Sequence, residues 1–386
     1  MRKLLLVAIT LWSAFVWRVS GCDVPVFRYA LENWQPDLFT AVIFRDSKPF
    51  EGELEKVIEE VDKMGVNLRI MIVDATQEIP VQWKKAYDEN SKSLKLPFVV
   101  LFYPYYSDLY GEKVEQEAVW SGPFNPSTFR SLVTSSAREQ VVKQLLAGDS
   151  VVWVLLESGD GSKDEASARN LENAFNKLKK ELRGWYEAKR RLLLGDISPQ
   201  EEKGIPFKLE FSLIRIRRDD PAEKIFVSIL TGLEPELAKV DNEPIAYPFF
   251  GRGRVMPPLI GKGINEEMIF ATCGFLLGDC ACTIKDMNPG RDTLLPVNWD
   301  AKISELSTTL LSAIVPEAEL TGVFGEPQES TNLSKQASEK SQKTPGASTS
   351  GPSMRNRMIY FAILILILAG IVAGITAFFL IRKKLR

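Results

Sequence analysis

Short apolar runs alternate along this chain with longer segments whose apolar positions recur every three or four residues. Runs of the first kind read as buried strands, and segments of the second as amphipathic helices. Residues 39–44, 66–73, 96–103 and 114–120 are predicted strands. Residues 50–64, with Leu54, Val57, Ile58 and Val61, and residues 79–90 are predicted helices. Asn125 and Pro126 then supply an N-cap and a first-turn proline for a helix running to 147, where Gly148 stops it. A second series follows. Residues 150–157 form a strand, Ser158 to Gly161 a turn, and Leu171, Phe175, Leu178, Leu182 and Trp185 line one long helix. A strand at 207–215, a helix at 221–233, strands near 247–250 and 258–261, and a helix from Asn265 to Leu277 complete it.

The ends of the chain are patterned differently. Residues 358–381 are apolar and uncharged, long enough to cross a bilayer core as a helix. Arg382, Lys383, Lys384 and Arg386 follow, which places that end in the cytoplasm and the bulk of the chain outside it. Residues 325–357 are rich in Ser, Thr, Lys, Gln, Gly and Pro, the composition of a flexible linker. Gly370 and Gly374 form a G-x-x-x-G pattern on which two spanning helices can approach as a homodimer. At the other end, Arg2 and Lys3 precede an apolar stretch too short for a comfortable span, the form of an export signal over residues 1–21. Val19-Ser-Gly-Cys22 is similar to the lipobox of bacterial lipoproteins, which implies lipidation of Cys22 and, with Asp23, retention in the inner membrane.

Composition narrows the chemistry. The chain has no histidine, which removes imidazole bases and histidine-ligated metal. Its net charge of -2 gives no general attraction to nucleic acid.

The order β-α-β-α-β-β-α, with Leu96-Pro97 opening an apolar strand and Ser121-Gly122 ending the next, resembles the thioredoxin fold. The resemblance implies an α/β chain of two tandem thioredoxin-like domains, 22–149 and 150–324, with Pro97 and Pro248 in corresponding places. The fold's Cys-x-x-Cys is expected after residue 44, where Arg45 to Phe50 stand instead, and the second half has none after its first strand either.

Two groups could carry chemistry. Arg252, Arg254 and Lys262 lie among glycines ahead of a helix start, where backbone N–H groups can hold an anion. A hairpin turn and a strand-to-helix turn account for the same glycines. Cys273 falls on the apolar face of the last helix, while Cys280 and Cys282 follow it. A disulfide, buried thiols, thiol exchange or a soft metal site are all open to these three. Lys179, Lys180, Arg183, Lys189 and Arg190 read as a solvated helix face.

Cys22 to Leu31, Pro248 to Arg254, Cys280 to Lys285 and Asn288-Pro-Gly290 resemble stretches of a group of bacterial exported proteins. That resemblance implies an envelope location and brings no reaction with it. The expectation is a non-catalytic binding or scaffold protein without a cofactor, held by a lipid anchor and one span and partnered with another envelope protein. The surface beside Pro97 or Pro248 would take an extended peptide. The other reading is a membrane-tethered thiol-disulfide oxidoreductase or metal-handling protein using Cys280 and Cys282. In a eukaryotic host, the terminal Lys383-Lys384 would instead suit the endoplasmic reticulum membrane.

Overall fold

A computed structural model describes residues 22–104, 116–198, 202, 204–280 and 285–314. The expected signal segment, linker, span, basic tail, Gly370, Gly374 and Cys282 lie outside these residues. Among the described residues no helix is long and apolar enough to cross a membrane.

The chain is α/β, with two principal sheets. In the first, strands β2 (Phe39–Arg45), β3 (Leu68–Asp74), β4 (Phe98–Phe102) and β5 (Ala118–Pro123) lie in the order β3-β2-β4-β5. β2 and β3 are parallel, while β4 runs antiparallel to both β2 and β5. In the second, β6 (Val151–Glu157) is parallel to β7 (Phe211–Arg217) and antiparallel to β8 (Ile245–Phe250). Two-residue strands β9 (Arg254–Val255), β10 (Leu259–Ile260) and β12 (Arg291–Asp292) extend that sheet. β2, β4, β6 and β8 are buried over nearly their whole length. Such continuously apolar strands fit a sheet covered on both faces.

Helix boundaries follow local polar groups. The Asn125 side chain accepts from Thr128 N at 2.9 Å, and Asn265 caps Glu266–Leu277 in the same way. The helix expected over 125–147 is divided into Pro126–Val133 and Ser136–Leu146. Ser135 starts the second piece as its N-cap, and Arg138, wholly buried, closes the first. Its guanidinium donates to the carbonyls of Leu132, Ser131 and Thr134 at 2.6, 2.6 and 2.9 Å. The long helix is likewise interrupted at Leu182, giving Gly161–Glu181 and Arg183–Leu194.

The expected boundary at 149/150 divides the sheets but not the packing. One apolar cluster contains Phe39, Ile43 and Val99 of the first sheet together with Val154, Tyr247 and Phe249 of the second. The amino-terminal residues leave their own half. β1 (Cys22–Pro25) pairs antiparallel with β11 (Asp279–Cys280), and Phe27, Ala30 and Trp34 bury against Trp153, Phe207 and Phe250. In return, residues after β12 reach the first half. Asn67 donates to the Thr293 carbonyl at 3.1 Å, and Leu294, Val297 and Trp299 join the shared cluster.

Candidate functional site

In each half, the region where a parallel strand pair ends and a helix begins lies beside the turn into the next antiparallel strand. In the first half, this region contains Arg45 to Phe50 and the cis peptide Leu96-Pro97. Arg45 Nη1 donates to the Lys48 carbonyl, its guanidinium lies 5.6 Å from the centre of the Phe50 ring, and Lys48 N donates to Asp46 at 3.1 Å. The loop thus engages several of its own polar groups, while Arg45 Nε is buried without a hydrogen-bond partner among the described residues. Pro97 is half-buried, and its carbonyl accepts from Phe124 N at 3.0 Å. Leu96 beside it is 36% exposed, and no hydrogen bond involves its main chain among the described residues.

The second half corrects the place expected of Pro248. That residue is buried in the middle of β8, opposite Trp153. It is tolerated where the outer neighbour of β8 is interrupted between β9 and β10, at Met256, Pro257 and Pro258. Pro244, four residues before Pro248, precedes β8 as Pro97 precedes β4. Pro248 is buried there and does not line an exposed surface among the described residues.

Beside Pro244's half lies a cleft of about 600 Å³ that the sequence reading did not single out, lined by Glu157, Ser158, Gly159, Arg215, Arg217 and Arg218 among others. Its charges are mostly paired. Arg215 bonds Glu157 at 2.7 Å and Glu165 at 2.9 Å, and the bond to Glu165, then that to Glu157, raises its already high pKa. Asp164 accepts from Ser158 N and Gly159 N at 2.7 and 3.0 Å, while Asp160 caps the following helix. The loop amides that could cradle an anion are thus occupied by carboxylates of the same chain. The signal that could have located this cleft was the run Arg215-Ile-Arg-Arg218 at a strand end.

Nor do Arg252, Arg254 and Lys262 assemble an anion site. Arg252 is buried and donates to the carbonyls of Leu31 at 2.7 Å and Glu32 at 3.1 Å, and it pairs with Asp300 at 2.7 Å. It closes the carboxyl end of the helix Val26–Asn33. Arg254 is also buried. It bonds the Asn288 carbonyl at 2.9 Å, pairs with Asp292 at 3.4 Å and lies over Trp34. Lys262 is exposed in a single 3-10 turn. The arginines point inward because buried carbonyls need donors, a demand set by contacts remote in sequence. The basic helix face also differs from its expectation at Lys189, which donates to the Asp23 carbonyl at 3.0 Å and to Asp279 at 2.5 Å.

Cys273 is a free thiol with 0% exposure, in the cluster with Trp153. Burial pushes it up to about 12, against a lowering contribution from the Trp153 indole. A buried thiol of this kind packs as a small apolar side chain, which supports the core reading of Cys273. Cys280 lies in β11, with its Cα in register with that of Cys22. No group of three metal-ligating side chains occurs among the described residues.

No family model matches the chain, and no curated protein does. Among solved structures it is similar to one titled "Crystal structure of ERdj5 form II", at 12% identity over 69% of this chain and 31% of that one. The TM-score is 0.18, and a likeness at that level carries no argument about fold or function.

Proposed function

We propose that the chain is a membrane-tethered, extracytoplasmic binding protein whose two halves are thioredoxin-like modules without the redox dithiol. The topology supports that reading of the halves: in each, one central strand has a parallel neighbour on one side and an antiparallel neighbour on the other. The place of the dithiol is held by Arg45 to Phe50 in one half and Ser158 to Gly161 in the other, and neither segment contains a thiol. The site we assign is the Leu96-Pro97 turn at the start of β4, and its occupant is an extended segment of another envelope protein.

The observation that carries this assignment is Leu96. Its side chain is exposed, and its main-chain groups are unengaged by the described residues, which is the requirement for pairing with an added strand. A photo-crosslinking residue at position 96 of the full chain, in its own membrane, should give one discrete adduct. The same residue at exposed Leu192 should give none. Equal adducts at both positions, or an adduct that survives Leu96→Asp and Pro97→Ala unchanged when captured from exposed Ser47 in the neighbouring loop, would rule out the reading.

A further inference from the structure

β1 and β11 form a two-stranded antiparallel ladder separate from both principal sheets, and the residue opposite Cys22 in that ladder is Cys280. Directly opposed residues in an antiparallel pair have Cα atoms about 4.5 or 5.5 Å apart, according to whether the pair is hydrogen-bonded. Both values lie inside the span of about 4.4–6.8 Å that a disulfide bridges. Two further contacts fix the ladder. Val26 N donates to the Gly278 carbonyl at 3.0 Å, continuing the pairing beyond the irregularity between Cys22 and Pro25. The Lys189 ammonium bonds the Asp23 carbonyl on one strand and the Asp279 carboxylate on the other, one residue away from each cysteine.

We infer that Cys22 and Cys280 are joined by a disulfide that staples the amino-terminal strand to the end of the helix Glu266–Leu277. The inference rests on the extracytoplasmic reading for its oxidant, an exchanging protein disulfide of the export compartment. In the exchange, one thiolate attacks the oxidant's sulfur and expels a thiolate. The second cysteine then attacks the mixed disulfide and releases the oxidant's other sulfur. One S–S bond forms in this chain and one is lost from the oxidant, which takes up two electrons and leaves as a dithiol with the two protons. A Cys22 sulfur in this bond is unavailable for lipid attachment, so the staple and the lipidated amino terminus exclude one another.

Two measurements on the full chain in detergent and in membranes separate this inference from the location it assumes. The reduced chain, placed in a glutathione redox buffer, should yield a non-reduced digest with one peptide joining Cys22 to Cys280, two hydrogens lighter than the separate thiols. Cys282→Ser should keep that peptide and Cys280→Ser should abolish it. Both cysteines remaining alkylatable, or a link from Cys22 to Cys282, overturns the staple. Alkylation of intact cells before lysis then reports the compartment. The same linked peptide is expected there, and a lipid-modified Cys22 overturns the staple in the native protein. A pair that forms in glutathione but is trapped as free thiols in cells overturns the extracytoplasmic placement and leaves the pairing standing.

Discussion

The Tyr103 hydroxyl donates to the carbonyl of Ile229, 2.5 Å away across the seam between the two sheets. Tyr103 follows the last residue of β4, and Ile229 lies in the helix Lys224–Thr231 of the other half. Glu223 crosses the same seam, accepting from Ala137 N at 2.9 Å. Polar contacts of this kind orient an apolar interface. Tyr103→Phe removes a buried hydrogen bond and should lower stability by ~1–2 kcal/mol in denaturant titration. Unfolding should remain a single transition, because the apolar cluster that joins the halves is untouched.

Arg138 has a larger effect. Its guanidinium is held down to about 10 by burial, yet it remains cationic at neutral pH and satisfies three carbonyls at the end of Pro126–Val133. Arg138→Met should cost ~3–5 kcal/mol, since those carbonyls and the facing Glu223 lose their donor or cation together. Equilibrium unfolding of the variant beside Lys143→Met, on the exposed side of the same helix, isolates the effect.

The link between Arg252 and Asp300 gives a pH dependence of definite sign. Bonds from Gln35, then from Arg252, hold the Asp300 carboxyl below the usual carboxylate range. A depressed folded value means that the stabilisation is fully present above the ordinary carboxylate pKa and disappears as pH falls through the folded value. Asp300→Asn should therefore weaken the protein at neutral pH and flatten its acid limb below about pH 4. Melting temperatures of both forms across pH 3–7 test the sign, which an isolated surface carboxylate would not produce.

Cys273 should resist alkylation at pH 8 for as long as the chain is folded, and should react as soon as denaturant exposes it. Labelling at a rate comparable to that of a small-molecule thiol in native buffer would place it in a different environment from the one described.

β3 leaves one edge of the first sheet open, with Met71 38% and Ile72 47% exposed. An exposed apolar edge invites pairing between chains. Ile72→Lys should leave stability within ~0.5 kcal/mol and reduce concentration-dependent self-association in light scattering.

Some of these features could be read from the sequence and others could not, for a consistent reason. Strands β2, β4 and β6 were legible because their apolar runs are continuous, and Asn125 and Asn265 because a cap bonds an amide three residues away. The break at Ser135 had the same kind of signal, hidden within the run Thr134-Ser-Ser136. Pro248 misled because a proline beside an apolar run looks alike before a strand and inside one. Only the register against β6 separates Pro244 from Pro248. Arg252 could not have been placed at all, because its carbonyl partner Leu31 is 221 positions away.

That separation also bears on how the molecule is made. Phe27, Ala30 and Trp34 leave the ribosome long before the helix Glu266–Leu277, which completes the surface that covers them. The first half's share of the core likewise waits for Leu294, Val297 and Trp299. Neither sheet can mature while the other is still being synthesised, so stability arrives late and all at once. Contacts so distant in sequence slow folding, and that aromatic surface stays uncovered on the nascent chain until its distant partners have been made.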